Sequence, residues 1–357
     1  MPEPTTTIPA PDLIRACQVL LEQAGVPGDQ AAQIAEIVVE ADLRGIESHG
    51  VLRLPAYIHR ARAGTMTAAT HVHILRERGA AVLFDAQHGF GQIAGVRAMQ
   101  EAIARARQYG TAFVGVRNAG HFGVAAYYAM LALPHKMIGI VSANAAPSMA
   151  AWGGTTPLLG TNPICVAIPT GGEVDIVLDM ASSVVARGKI RLAASTGARL
   201  PLGWALDNQG LPTEDPAAAM KGTLLPIGGP KGYGLALVID ILSGVLTGAD
   251  FGPHIPSVHD SGSPVSAGFA VQALDISAFA EVEDFERDLQ SLIAEIHASP
   301  RAASCDRIYL PGEIEWLKKQ ERLQRGIPVP ESLLRELRKL AAELDVSVDW
   351  LASISPS

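Results

Sequence analysis

Apolar positions in the first part of the chain recur at helical spacing. Leu13, Cys17, Leu20, Leu21 and Ala24 share a face, and Gly25 with Pro27 ends that helix. A second helix runs from about Asp29 through Ile34, Ile37, Val38, Ala41 and Leu43 into Gly45, and a third covers residues 51–63. The pattern then changes. Residues 71–75 and 81–84 read as strands, and Gly89-Phe90-Gly91 leads into a long amphipathic helix over about 93–109. A buried strand follows at 112–116, then a helix that follows His121 and runs through about Leu133, then a strand at 138–142. This β-α-β-α-β order predicts an α/β core with at least partly parallel strands.

Further on, 164–168, 176–180 and 269–274 read as strands. Residues 195–230 and 252–266 read as loop-rich, and 235–246 as a buried helix. Amphipathic helices are expected at 285–297 and 332–344, and a loose Pro/Thr tail at 1–10. The division implied is a mainly helical outer part (1–75 and 300–357) around an α/β core (76–299).

Composition narrows the function. The 357 residues carry a net charge of −8, which argues against a nucleic-acid or anionic-membrane partner. No segment reaches the roughly 20 apolar residues of a membrane span. Cys17, Cys165 and Cys305 form no CxxC pair, and the first residues do not read as a signal peptide, so a cytoplasmic location is expected.

Several segments carry candidate chemistry. In Glu47-Ser48-His49-Gly50 the imidazole can act as acid or base near neutral pH. Arg53, about one helical turn on, can grip a carboxylate with two parallel hydrogen bonds. The plainer reading is a helix cap, with Ser48 at the N-cap and Arg53 on a wet face. Asn118-Ala119-Gly120-His121-Phe122-Gly123 follows a buried strand and precedes a helix, where α/β proteins place ligands; a capping Asn and a structural His are the alternative. Gly228-Gly229-Pro230-Lys231-Gly232-Tyr233-Gly234 lets a backbone approach a bound group, and Lys231 can neutralise a phosphate; a tight turn with a solvated lysine reads equally well. Asp179, at a strand end, can hold a ribose hydroxyl or simply cap a turn.

Other chemistries fare worse. Gly89-Phe90-Gly91-Gln92-Ile93-Ala94-Gly95 misses the G-x-G-x-x-G spacing, and no acidic residue ends the next strand, so these glycines read as turn and close-packing residues. His49, His121, His254 and His259 make no zinc motif, and no metal is expected. No G-x-S-x-G elbow is present.

Taken together, the segments resemble the malate/L-lactate dehydrogenase family of the second type. That family includes ureidoglycolate and sulfolactate dehydrogenases, diketogulonate reductase and the Δ1-piperideine-2-carboxylate/Δ1-pyrroline-2-carboxylate reductases. The resemblance rests on residues 41–50 (ADLRGIESHG), 120–123 (GHFG), 160–163 (GTNP), 178–183 (LDMASS), 225–234 and 310–313 (LPGE), in the family's order. It implies an α/β, non-Rossmann NAD(P)-binding fold around a large mixed sheet, with helical N- and C-terminal segments, assembled as a homodimer. It implies NAD or NADP as cofactor and a small 2-hydroxy, 2-oxo or cyclic 2-imino acid as substrate. By similarity His49 is the proton donor, with Ser48 beside it, Arg53 on the substrate carboxylate and Thr161 contacting substrate. His121 belongs to the site in a role left open. The stretch His121, Phe122, Gly123, Val124 and Ala125 would lie along the cofactor. Leu178, Asp179, Met180, Pro230, Lys231, Gly312, Glu313 and Ile314 would hold it. Some imino-acid reductases carry a relay Asp about ten residues after the start of Leu-Asp-Met. Here Arg187-Gly188-Lys189 stands there, which favours a hydroxy-acid dehydrogenase with imino-acid reduction as the alternative. A metal-dependent lyase or hydrolase and a non-catalytic nucleotide binder are the rival classes.

Overall fold

The computed structural model describes residues 3–257, 262–264 and 266–346. Its first half runs β1 (Thr5–Ile8), α1 (Ala10–Gln23), α2 (Gly28–Leu43), α3 (Leu54–Arg62), β2 (His73–Arg78), β3 (Ala81–Gly89), α4 (Gly91–Tyr109), β4 (Thr111–Ala119), α5 (Ala125–Met130) and β5 (Met137–Ala143). The second half adds β6 (Met149–Ala150), β7 (Pro157–Leu159), β8 (Ile164–Ile168), β9 (Ile176–Met180), α6 (Arg187–Thr196), β10 (Ala205–Leu206), α7 (Pro216–Lys221) and β11 (Thr223–Leu224). It ends with α8 (Pro230–Asp240), β12 (Ala267–Asp275), α9 (Val282–Ala298), α10 (Glu313–Arg325), β13 (Ile327–Pro330) and α11 (Glu331–Glu343).

A seven-stranded sheet of order β2-β3-β4-β12-β5-β8-β9 organises the molecule. β3 and β4 are parallel, joined by α4 as their crossover. The other neighbours are antiparallel, and β12 inserts between β4 and β5 and runs against both. The sheet is therefore mixed, as expected, with one parallel ladder where a doubly wound dinucleotide fold has many. Ala94, Ala98, Met99 and Ala102 of α4 pack with Phe84, Val114, Val116 and Val271 in its core. The glycines in the first turns of α4 serve packing. A methyl at Gly91 would overlap the Gly120 carbonyl, and one at Gly95 would meet the Tyr128 ring.

A second core joins α1, α2 and α3 to the far end of the chain through Leu20, Ile34, Val38, Leu54, Leu334 and Leu337. Here the expected loose N-terminal tail is corrected: Thr5–Ile8 pairs antiparallel with Ile327–Pro330. A third, smaller core includes Met149, Leu159, Ile190, Leu200 and Leu224. Of its short elements only β10, α7 and β11, with the end of α6, fall in residues 195–230, which are otherwise loop-rich as expected.

Other boundaries also shift. Residues 51–53 form a 3-10 turn and α3 begins only at Leu54, with Pro55 in its first turn. The helix expected after His121 through about Leu133 is shortened to α5, and Pro134 lies in a separate 3-10 turn. The apolar 235–246 stretch starts earlier, at Pro230, and turns into a π-helical segment over Ile241–Val245. It is not a buried helix: Leu237, Val238, Ile241, Val245 and Leu246 are exposed. Among the described residues no helix is long and apolar enough to cross a membrane. His259, and the tail beyond residue 346, lie outside the described residues.

Candidate active site

The segment between α2 and α3 winds into two consecutive 3-10 turns, Glu47–His49 and Val51–Arg53. No side chain caps the first turn. Ser48 instead turns its hydroxyl to its neighbour, with Oγ 2.8 Å from His49 Nδ1. Arg53 Nε donates to the Ser48 carbonyl at 2.7 Å, so the guanidinium folds back over the histidine turn rather than lying on a wet face.

Two buried groups hold this turn from behind. Asp42, near the end of α2, accepts the Val51 N–H at 2.8 Å, and a Cβ at Gly50 would collide with its carboxylate. Burial pushes the Asp42 carboxyl up to about 7; the Val51 N–H pulls against that rise, Glu47 adds to it and Arg322 opposes it. Arg322, from α10, donates to the Asp42 carbonyl and pairs with Glu47 at 2.6 Å.

The strand β4 delivers His121 to the same place. Its ring stacks on that of His49, with centroids 5.6 Å apart and an angle of 25° between planes. Tyr57 of α3 reaches His121 Nδ1 with its hydroxyl at 2.6 Å, and the Gly123 N–H approaches the same nitrogen at 3.3 Å. Burial, and then the charge of Arg53, lower the His49 pKa to about 4, so its imidazole is neutral at pH 7 in the free protein. Burial raises the Tyr57 phenol, which keeps its proton. The structure thus unites Ser48, His49, Arg53 and His121.

The segments matched to cofactor binding form a second group. β8 pairs with β9, Ile164 opposite Met180, and Thr161 just before β8 accepts the Ser182 N–H and hydroxyl, each at 2.8 Å. Ser182 in turn accepts the Ile227 N–H, and Asn162 donates to the Ala236 carbonyl of α8, which ties Thr161 to the segment bearing Pro230 and Lys231. Lys231 is exposed in the first turn of α8. Val177 of β9 donates to the Pro311 carbonyl, and a methyl at Gly312 would press on Val177, so Leu178, Asp179 and Met180 lie beside Gly312, Glu313 and Ile314. Asp179 joins this group to the first by accepting the Ala126 N–H at 2.9 Å, and burial pushes its carboxyl up to about 6. The side chains of Phe122, Val124 and Ala125 are buried, with Phe122 stacked on Phe269, so this stretch can meet a ligand chiefly through its backbone. Glu313 is also buried and accepts the Leu310 N–H, whereas Ile314 is exposed. Arg187 donates to the Met220 carbonyl at the start of α6. Among the described residues, no group of three or more His, Cys, Asp or Glu could hold a metal ion.

Sequence reasoning missed Tyr57, Asp42 and Arg322. Tyr57 had a signal: it sits one helical turn beyond Arg53, on the same side of the chain. Arg322 had none, because only the packing of α10 brings it to the turn.

The chain as a whole is similar to known proteins. Residues 8–338 match the family described as malate/L-lactate dehydrogenase. A malate/(S)-sulfolactate dehydrogenase from Methanothermus fervidus is 35% identical over 331 residues, covering 93% of this chain and 96% of that protein. A malate dehydrogenase from Pyrococcus abyssi is 38% identical over 347 residues, 95% of each chain. The solved sulfolactate dehydrogenase of Methanocaldococcus jannaschii superposes with a TM-score of 0.91 at 37% identity, covering 96% of this chain and 98% of that one. A match over residues 8–338, with superposition over 96% of the chain, makes it a member of the malate/L-lactate dehydrogenase family, a family of NAD(P)-dependent 2-hydroxy acid dehydrogenases.

Proposed function

We propose that this enzyme interconverts a small 2-hydroxy acid and its 2-oxo acid, of the malate, lactate, sulfolactate or ureidoglycolate type. The observation that carries the reading is the stacked His49–His121 pair with Arg53 tied beside it. A guanidinium next to a neutral imidazole suits an anionic substrate whose 2-oxygen gains or loses a proton.

Members of the family use NAD+ or NADP+. The residues present fit such a group. Lys231 stands at the N-terminal end of the eleven-residue α8, where a positive charge and the helix dipole favour a phosphate. Gly228 and Gly234 nearby face open space, since a Cβ on either would meet nothing within 4 Å. Pro230, Lys231, the backbone from His121 to Ala125, residues Leu178 to Met180 and the Gly312–Ile314 segment would hold it. When bound, the nicotinamide supplies or takes a hydride at C2 of the substrate.

The remaining work falls to side chains of this chain. Arg53 binds the carboxylate and fixes which face of C2 is presented, with Thr161 as a further substrate contact. In oxidation His49 takes the hydroxyl proton through Nε2, because its Nδ1 is engaged by Ser48. Binding of the carboxylate offsets the Arg53 charge that disfavours an imidazolium, so His49 gains basicity only when substrate is present. The relay carboxylate of some imino-acid reductases is replaced here by Arg187, already engaged with Met220, which supports the hydroxy-acid reading. The exposed apolar stripe of Leu237, Val238, Ile241, Val245 and Leu246 supports a homodimer, which sedimentation tests.

The test is a panel of 2-oxo acids with NADH and NADPH, followed at the reduced-nicotinamide absorbance. One or more acids should be reduced. If nucleotide binds and no acid in the panel is turned over, the reading is wrong.

A further inference from the structure

The geometry points to a division of labour between the two histidines: Tyr57 is a positioning residue that locks His121 as the neutral tautomer protonated on Nε2, making His121 a hydrogen-bond donor to the substrate's 2-oxygen and leaving proton transfer to His49. This deepens the proposed function and rests on it.

The argument starts from a donor that cannot be reversed. A backbone N–H only donates, and that of Gly123 is directed at His121 Nδ1 at 3.3 Å. That nitrogen must therefore present a lone pair. The Tyr57 hydroxyl, 2.6 Å from the same atom, then donates as well. Its own oxygen still has room for a donor, and the amide of the fully buried Gln92 approaches it without completing a hydrogen bond. In neutral imidazole a lone pair on Nδ1 puts the proton on Nε2.

The same contacts oppose a second proton. Protonating Nδ1 would set an N–H against the Gly123 N–H, and only the tyrosine could turn round. Of its described neighbours, His49 stacks on the His121 ring and Tyr57 beside it stays a phenol. An imidazole that resists becoming imidazolium is a poor general base. It is a good fixed donor where negative charge grows on oxygen. In oxidation the atoms balance without His121 changing state. The hydroxyl proton passes to His49 Nε2, the hydride leaves C2 for the oxidised nicotinamide, and the C=O bond forms against the His121 N–H.

Three measurements on the full chain test this. First, the wild-type protein is labelled with nitrogen-15 in its histidine rings, and two-bond nitrogen–proton correlations are read from pH 5 to pH 9, with His121 identified by its loss in His121→Gln. A single Nε2–H form throughout is expected; an Nδ1–H form, or titration to imidazolium near neutral pH, overturns the assignment. Second, Tyr57→Phe should give mixed tautomers at His121; an unchanged pattern removes Tyr57 from its role. Third, His121→Gln offers an amide N–H near the position of Nε2–H, so it should turn over within about tenfold of wild type, while His121→Ala loses about 10²–10³-fold. Equal, deep losses in both variants would make His121 a proton carrier and overturn the proposal. The nitrogen spectrum needs no turnover, so inactivity towards every 2-oxo acid would count against the dehydrogenase reaction alone.

Discussion

Asp42→Asn isolates the group that braces the histidine turn. Asp42 is buried and its carboxyl sits near 7 instead of 3.8, because burial disfavours the ion more than the Val51 N–H favours it. A carboxyl raised in the folded state adds stability at low pH, and the addition is lost as pH rises through the folded value. At about pH 5 the folded group holds its proton and the unfolded one has mostly lost it, over a gap of roughly two pH units worth about 1.4 kcal/mol each. The contribution is then about 3 kcal/mol, and it is gone by about pH 8.5. Asparagine keeps an oxygen to accept the Val51 N–H but does not titrate. Urea unfolding of both proteins at the two pH values, followed by tryptophan fluorescence at one protein concentration, gives the difference directly. Wild type should lose about 3 kcal/mol more than the variant on going from about pH 5 to about pH 8.5. Parallel changes in the two proteins would mean that Asp42 titrates as an ordinary carboxylate, and the account of its burial would fail.

Other perturbations probe the site itself. His49→Ala should cut turnover by about 10²–10⁴-fold with nucleotide still bound, and near-normal turnover would remove His49 from the mechanism. Since burial and Arg53 hold the His49 pKa near 4, kcat/KM for oxidation should stay level from neutral pH down towards 4 and fall below it; a limb at the ordinary histidine value would contradict this. Arg53→Lys keeps the charge but loses the planar fork, so KM for the acid should rise, and an unchanged KM would argue against carboxylate binding there. Gly91→Ala forces a methyl into the Gly120 carbonyl and Phe122, at a cost of about 1–3 kcal/mol, and an unchanged Tm would refute that close approach.

Much of the site was legible because its parts are local. Ser48, His49 and Arg53 fall within two turns of chain, and His121 follows a strand whose apolar run is unmistakable. The roles of Asp42 and Arg322 were not legible, since each depends on what burial and α10 bring against the turn. Tyr57 lay within reach of the same spacing argument that found Arg53, yet its partner is supplied from β4.

Periodicity in the chain determined that α1, α2, α4 and α11 are helices and that β3, β4, β5, β8 and β9 are strands, because helical or alternating burial is a property of neighbouring residues. It determined, too, that no dinucleotide fingerprint opens α4. Tertiary structure alone decided that β12 enters between β4 and β5, that Thr5–Ile8 finds its strand partner in Ile327–Pro330, and that the apolar end of α8 faces outward. Those choices are made by surfaces meeting from distant parts of the chain, and hydrophobicity along a sequence gives the need for a partner without its identity. The stacking of His49 on His121 is the functional case of the same rule. Each imidazole is placed by its own local element, and only the packing of α2 against α4 and α5, with Tyr57 of α3 on His121, makes them a pair.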